Sequence, residues 1–488
     1  MKAVEEAEPP RLSDEGHWYL EHAALVVTTL KWATFGAVAG VCVGWGTRAF
    51  LWSLTASSAL ASRTFPGWFR PTFLLPVAMV VCVWLIRTFA PTAKGHGTEA
   101  VITAIHQRSG KVDWLVAPIK LLATVVTLAF GGSVGKEGPC AQIGAAITSL
   151  FADVLKLDDK DRRRLVICGV GAGFAAVFGT PVSGALFGIE VLYLGRIEYG
   201  VLFPCLVAGI ISHLVCGTNA PVPALHEDLS VLTHRTIVPL AIVFGAVFGL
   251  IALLLIEMMR GIERLLRRFE HHPYLIAAGG GVALALFYLF VGEDYAGLGV
   301  TTIETSLEGT AKVVALAFLY KIVATSVTLE TGGSGGIVTP LFFIGATSGL
   351  ALGHLAGVEP GVIAAFGFVS VLAAAANTPI AAAVMGMEIL PHQLGVYAAL
   401  CAGTSFLLVG HRSVYASQKI GLSKSGGLEV PFDGAIGDLS PGEMRLRKGS
   451  LTESVLDGLE KGIDGIEKGV TRVGRRKRPV SRQRRPSE

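Results

Sequence analysis

Residues 131–145 read GGSVGKEGPCAQIGA, and residues 332–346 read GGSGGIVTPLFFIGA. The pairs Gly131/Gly332, Gly132/Gly333, Ser133/Ser334, Gly135/Gly336, Pro139/Pro340, Ile143/Ile344, Gly144/Gly345 and Ala145/Ala346 are identical and keep one constant separation. Each copy follows an apolar run and precedes another. Each therefore reads as a glycine-rich break that opens a helix, with proline near its first position. Glycines let the backbone turn its N–H groups toward one point. The new helix adds unpaired N–H groups and the positive end of its dipole. Such a construction binds anions.

The surrounding chain places this construction in a membrane. Of 488 residues, 52% are hydrophobic and 16% charged, which is too apolar for a soluble enzyme of this length. Apolar stretches recur from residue 24 to residue 410. A spanning helix needs about 20 apolar residues, and several of these runs are shorter or are cut by the 60 glycines and 22 prolines. Broken helices persist in a bilayer only when packed in protein or lining a polar cavity, a habit of transporters and channels. Residues 1–22 are polar, lack the apolar centre of a cleavable signal, and leave the first apolar helix as an uncleaved anchor. The seven cysteines form no CxxC and read as small buried hydrophobes.

A second echo joins the halves. Thr180-Pro181 with Glu190 matches Thr378-Pro379 with Glu388. Two motifs in the same order at nearly the same spacing indicate a duplicated architecture. The expected boundaries are a polar segment 1–22, a first membrane repeat 23–216, a connection 217–235, a second repeat with its final helix 236–422, and a basic tail 423–488. Within the second repeat, residues after Gly410 are expected to open a last short apolar segment. Asp158–Arg164 (DDKDRRR) carries three successive arginines and suggests the cytoplasmic face. In the tail, Val455, Leu459, Ile463, Ile466 and Val470 recur at helical spacing after a Ser450/Glu453 capping box. The end from Arg472 to Arg485 suits either an anionic membrane surface or a solvated basic tail.

Competing chemistries fail on spacing. A nucleotide-binding P-loop needs Gly where Phe130 stands and Ser or Thr where Glu137 stands. The His271-His272 pair has no further ligand at sensible spacing. No HExxH or nucleophile elbow occurs, so an enzyme is not expected. Glu137 admits two readings. It could be a carboxylate complementing a helix N-terminus. It could also be an intramembrane acid that blocks an anion site when ionised and leaves when protonated. Lys120, inside an apolar run, reads from spacing as a snorkelling lysine.

Together, GHG at 95–97, GKEGP at 135–139, GGIVTP at 335–340 and the pair Ser413/Tyr415 resemble the CLC family of chloride channels and chloride/proton exchangers. The resemblance covers residues 23–422. It implies an all-α integral membrane protein of two inverted-topology repeats of broken and tilted helices, assembled as a homodimer in the lipid bilayer with both termini cytoplasmic. It implies chloride or another small anion as the transported ligand, with no cofactor, no metal and no nucleic-acid partner. Glu137 corresponds to the gating glutamate. His96, Gly97, Lys136, Gly138, Ile337, Val338 and Tyr415 correspond to the anion site, and Lys120 to a buried family lysine. Glu190 and Glu388 fall in helices near the family's dimer interface, where a structural hydrogen bond is expected.

Four departures bear on function. His96 stands where well-known members have an anion-contacting serine. Val338 replaces a frequent phenylalanine. Val191 occupies a position where many exchangers carry an inward-facing proton-accepting glutamate, so the proton pathway holds Glu137 without that second acid. The tail is also too short for the family's cytoplasmic CBS pair. Val191 favours passive chloride conduction, with chloride/proton exchange as the alternative, and His96 leaves open a preference for another small anion. Tyr415→Ala removes a hydroxyl donor worth about 1.5–3 kcal/mol to a charged partner. Anion affinity by titration calorimetry is expected to fall about tenfold or more, and equal affinity would remove Tyr415 from the site.

Overall fold

Both glycine stretches end one helix and start the next in the computed structural model, which describes residues 18–64, 70–218 and 234–457. Among these residues the helices form two matching sets. The first comprises α1 (Trp18–Thr64), α2 (Leu75–Phe89), α3 (Thr98–Gln107), α4 (Val116–Ala129), α5 (Glu137–Val154), α6 (Asp159–Phe178), α7 (Pro181–Glu190) and α8 (Leu202–Cys216). The second comprises α9 (His234–Leu266), α10 (Pro273–Val291), α11 (Val300–Leu307), α12 (Ala317–Glu330), α13 (Val338–Ala356), α14 (Pro360–Ala376), α15 (Pro379–Ile389) and α16 (His392–Leu408). Among the described residues, six helices are long and apolar enough to cross a membrane. The most enclosed is α13, with 78% of its apolar window buried, against 28–39% for the other five. The chain is a multi-pass integral membrane protein whose glycine-headed helix lies at its centre.

The repeats meet across an approximate two-fold axis, and the contacts between their matched motifs are reciprocal. Gly135 N–H donates to Gly336 O at 2.6 Å, and Gly336 N–H donates to Gly135 O at 2.7 Å. Ser133 N–H donates to Thr328 Oγ1 at 3.1 Å, and Ser334 N–H to Thr127 Oγ1 at 3.0 Å. Ser133 pairs with Thr325 and Ser334 with Thr124 through their hydroxyls. The same rule governs the second motif. Glu190 accepts from Ile380 and Ala381 N–H at 3.0 and 2.7 Å, while Glu388 accepts from Val182 and Ser183 N–H, both at 2.9 Å. Each glutamate thus fills the unpaired donors at the proline-headed start of the opposite repeat's helix, where a carboxylate also complements the dipole.

The repeats are inverted. Lys31, in the N-terminal third of α1, pairs with Asp161 at the start of α6. Nearby, Arg163 binds Tyr193 and Glu198. Tyr193 belongs to β1 (Tyr193–Leu194), which runs parallel to β2 (Lys419–Ile420). Residues adjoining β2 line one cavity together with Arg260, Glu263, Arg264 and Arg267 near the end of α9. So α1 leaves this side of the protein and its counterpart α9 arrives there.

Small residues permit the close crossings beside the centre. A methyl group on Gly144 or Gly345 would collide with the carbonyl of Gly169 or Gly367 on the neighbouring helix. Lys120 does not snorkel. It is fully buried, and its ammonium donates to the carbonyls of Ala93 and Gly95 at 3.2 and 2.6 Å. Lys321 repeats the arrangement on Tyr295 and Gly297 at 3.1 and 2.8 Å. Both lysines stay inside because main-chain carbonyls of a glycine break replace water. Six of the seven cysteines are buried as expected, but Cys42 is exposed on the face of α1.

The last long helix, α16, ends at Leu408. Residues 411–418, expected to open another apolar segment, form no helix. Ser413 and Asn377 hold them by hydrogen bonds to Ala375 O and from Asn377 Nδ2 to Arg412 O. The tail continues through the antiparallel pair β3 (Leu428–Glu429) and β4 (Arg445–Leu446). Lys419 bonds Asp433 at 2.9 Å and holds that exposed carboxyl below its ordinary range. The capping box is present in a shifted form: Ser450 Oγ accepts from Glu453 N–H, and Glu453 reaches back to Gly449 N–H. The rest of the expected tail helix, the arginine-rich end, most of the N-terminal segment 1–22 and most of the connection 217–235 lie outside the described residues.

Glu190→Ala leaves the Ile380 and Ala381 N–H groups at the head of α15 without partners, at about 1–3 kcal/mol for the buried Ala381 group. A lower thermal unfolding midpoint in detergent is expected, with Glu388→Ala showing a similar drop. Unchanged midpoints would show that the reciprocal caps do not carry stability.

Candidate functional site

The N-terminal ends of α5 and α13 face each other across the Gly135–Gly336 pair, and Glu137 lies between them. It is the first residue of α5, yet its carboxylate belongs to the opposite helix. Oε1 accepts from Thr339 N–H at 2.9 Å and Oε2 from Thr339 Oγ1 at 2.6 Å. The main chain of Val338 faces the same carboxylate. Glu137 is 1% exposed. A methyl group on either Gly135 or Gly336 would strike it, so the carboxylate rests directly on the glycine backbone. Each hydrogen bond to a charged group contributes about 1.5–3 kcal/mol, and the α13 dipole adds to this. The side chain therefore sits where the sequence expects a free anion to bind.

The remaining expected site residues are arranged around it. Ile337 caps the start of α13 and is buried with Val338. Gly97, with φ of 84°, approaches the Gly138 carbonyl too closely for any side chain, and the His96 carbonyl packs on Gly138 in turn. The GHG loop and the first turn of α5 are thus in backbone contact. Lys120 fixes that loop from behind through Gly95. Tyr415 is buried, with the Thr98 side chain as its hydrogen-bond partner, and it faces both Glu137 and Glu99. Its backbone N–H is anchored by Ser413 Oγ at 3.0 Å.

Two residues are placed differently from the rest. Lys136, half-buried, lies with Arg48 near Cys216 at the end of α8. The His96 ring instead lies 3.9 Å from Glu330 at the cavity, with Nδ1 buried and without a partner. Val191 ends α7 fully buried, and its carbonyl accepts from Gln418 Nε2 at 3.0 Å.

Thr339 was not among the expected site residues, although it supplies both donors to Glu137. A hydroxyl residue in the first turn of a glycine-headed helix was the available signal. Lys321, Thr325 and Thr328 were also missed, though each matches Lys120, Thr124 and Thr127 at the spacing of the glycine repeat.

The description of voltage gated chloride channels matches residues 77–410. The chain belongs to this family, the CLC family. It is 35% identical over 423 residues to a chloride/fluoride channel protein of Pseudomonas syringae pv. tomato, across 83% of this chain and 90% of that protein. It is 26% identical to an H(+)/Cl(-) exchange transporter, ClcA, of Vibrio cholerae, across 66% of this chain and 72% of that one. Among solved structures, a CLC-type fluoride/proton antiporter superposes with a TM-score of 0.74 at 26% identity, covering 83% of this chain and all of that one. A slow cyanobacterial Cl-/H+ antiporter, at 20% identity and a TM-score of 0.66, shares the fold. This CLC chain is therefore an anion transport protein of the membrane.

Thr339→Val keeps the shape of the side chain and removes the hydroxyl donor to Glu137. A loss of about 1.5–3 kcal/mol is expected to raise anion turnover at neutral pH by roughly tenfold, measured by halide efflux from proteoliposomes. Unchanged turnover would mean that the hydroxyl does not hold the side chain in place.

Proposed function

We propose that this CLC protein exchanges a small halide for protons, with Glu137 as the group that serves both ions. The observation that carries this reading is the Glu137 carboxylate on Thr339 at the head of α13. An ionised carboxylate there competes with an anion for the same donors. Once protonated, it loses its charge-assisted bonds and the attraction of the helix end, and the anion can replace it. Each exchange of side chain for anion then takes up or releases a proton.

The relatives support the same reading. An H(+)/Cl(-) exchange transporter and a fluoride/proton antiporter are among them by name. Passive conduction is the second reading. It is favoured by Val191, which is apolar and fully buried where an exchanger's second acid is expected, and by a relative named as a channel. The exchanger reading has the better support. The anion is chloride or fluoride, since both occur in the names of relatives. His96, Gly97, Lys136, Gly138, Ile337, Val338 and Tyr415 complete the proposed pathway.

The proposed assembly is a homodimer, with both termini on the cytoplasmic side. The start of α1 and the tail lie on the same face as Arg162–Arg164, and basic residues mark the cytoplasmic face.

Glu137→Gln mimics the protonated side chain. Anion flux is expected to persist, to lose its pH dependence and to move no protons. The wild type is expected to drive protons uphill when a chloride or fluoride gradient is imposed. Halide and pH electrodes on the same proteoliposomes read both. A wild type that carries anions without protons would establish passive conduction instead.

A further inference from the structure

Proton exchange through Glu137 requires a supply of protons from the other side of the membrane, and Val191 provides none. A cavity of about 1270 Å³ opens beside the site. It is lined by Arg87 at the end of α2, by Arg260, Glu263 and Arg264 on α9, and by Lys94, Gly95, His96 and Glu99. The turn from Glu330 to Gly333 closes it on the side of the glycine pair.

Two titratable side chains meet where this cavity reaches the site. Glu330 ends α12, six residues before Gly336, and its side chain is 17% exposed. Its Oε1 lies 3.9 Å from His96 Nε2, just beyond direct hydrogen-bond distance. The His96 side chain is 13% exposed, with Nδ1 buried and unpartnered. The carbonyl of His96 rests on Gly138, the residue after Glu137. Lys94 and Glu263 face Glu330, and Lys120 faces His96. Glu99, in the first turn of α3, binds Ser417 N–H through Oε1 at 2.8 Å and leaves Oε2 buried without a partner. Tyr415 faces both Glu99 and Glu137.

We propose that Glu330, paired with His96, is the cavity-side proton acceptor that supplies Glu137, in place of the acid missing at Val191. Glu330 takes a proton from water in the cavity and becomes neutral. The imidazole accepts that proton at one ring nitrogen and releases one from the other. The released proton reaches Glu137 after its side chain leaves Thr339. One proton moves per cycle, and no covalent bond between heavy atoms changes. This inference rests on the exchanger reading above.

Proton and halide fluxes from the same proteoliposomes test it. Glu330→Gln is expected to keep halide flux within about threefold of wild type while the proton-to-halide ratio falls at least tenfold. Glu330→Asp, which retains a titratable group, is expected to keep the ratio within about twofold. His96→Asn is expected to lower it. If Glu330→Gln does not assemble, the last two variants decide: coupling kept in Glu330→Asp and lost in His96→Asn supports the pair, and coupling kept in both overturns it. A coupled wild type with an equally coupled Glu330→Gln overturns the role of Glu330 alone. A wild type that moves no protons overturns the exchanger reading and this inference with it.

Discussion

Two glycine main chains exchanging N–H and C=O groups at the centre of a membrane protein set the constraint on which the rest depends. No side chain fits on Gly135 or Gly336 while Glu137 lies against them. The pairing brings the starts of α5 and α13 head to head, so donors that would each require a partner converge on one small volume. In a bilayer such donors cannot be left to water. The Glu137 carboxylate answers this demand here, and in the proposed exchange a mobile anion answers it when the side chain leaves. On the proposed reading, the need to satisfy buried donors and the transport of an anion are aspects of one arrangement.

The two-fold relation between the repeats distributes this logic. Serine–threonine pairs on either side of the glycines, lysines behind the preceding loops, and glutamates on the proline-headed helices all occur twice. The paired lysines and glutamates are matched to backbone acceptors and donors of broken helices in the opposite or neighbouring segment. The copies nevertheless differ where chemistry is needed. Glu137 has Val338 as its counterpart, and the GHG loop has Gly297-Leu298-Gly299. Symmetry builds the frame, while the unpaired substitutions place a carboxylate and an imidazole in one copy only.

The face carrying the tail is also the face with the cavity and most of the arginines near helix ends. That distribution raises the local concentration of anions at one mouth. Carboxylates at Glu263, Glu99 and Glu330 interrupt the basic lining closer to the site. The proposed exchange of a halide for a proton calls for both kinds of group, and this cavity holds them within one wall.

The sequence by itself determined the membrane class, the duplication, the glycine breaks and the presence of an acid, Glu137, at one of them. Each of these rests on local physics: apolar runs of spanning length, a fixed repeat spacing, backbone freedom at glycine, and the rarity of an acid at membrane depth. Only the tertiary structure decided the partners. Thr339 lies 202 residues from the carboxylate it holds, and no local pattern reports which helix end a side chain will reach. Lys120 read as a snorkelling lysine because its carbonyl partners come from a loop folded back from another helix. The meeting of His96 with Glu330 likewise joins the two repeats. It exists only because the inverted halves close around the same point.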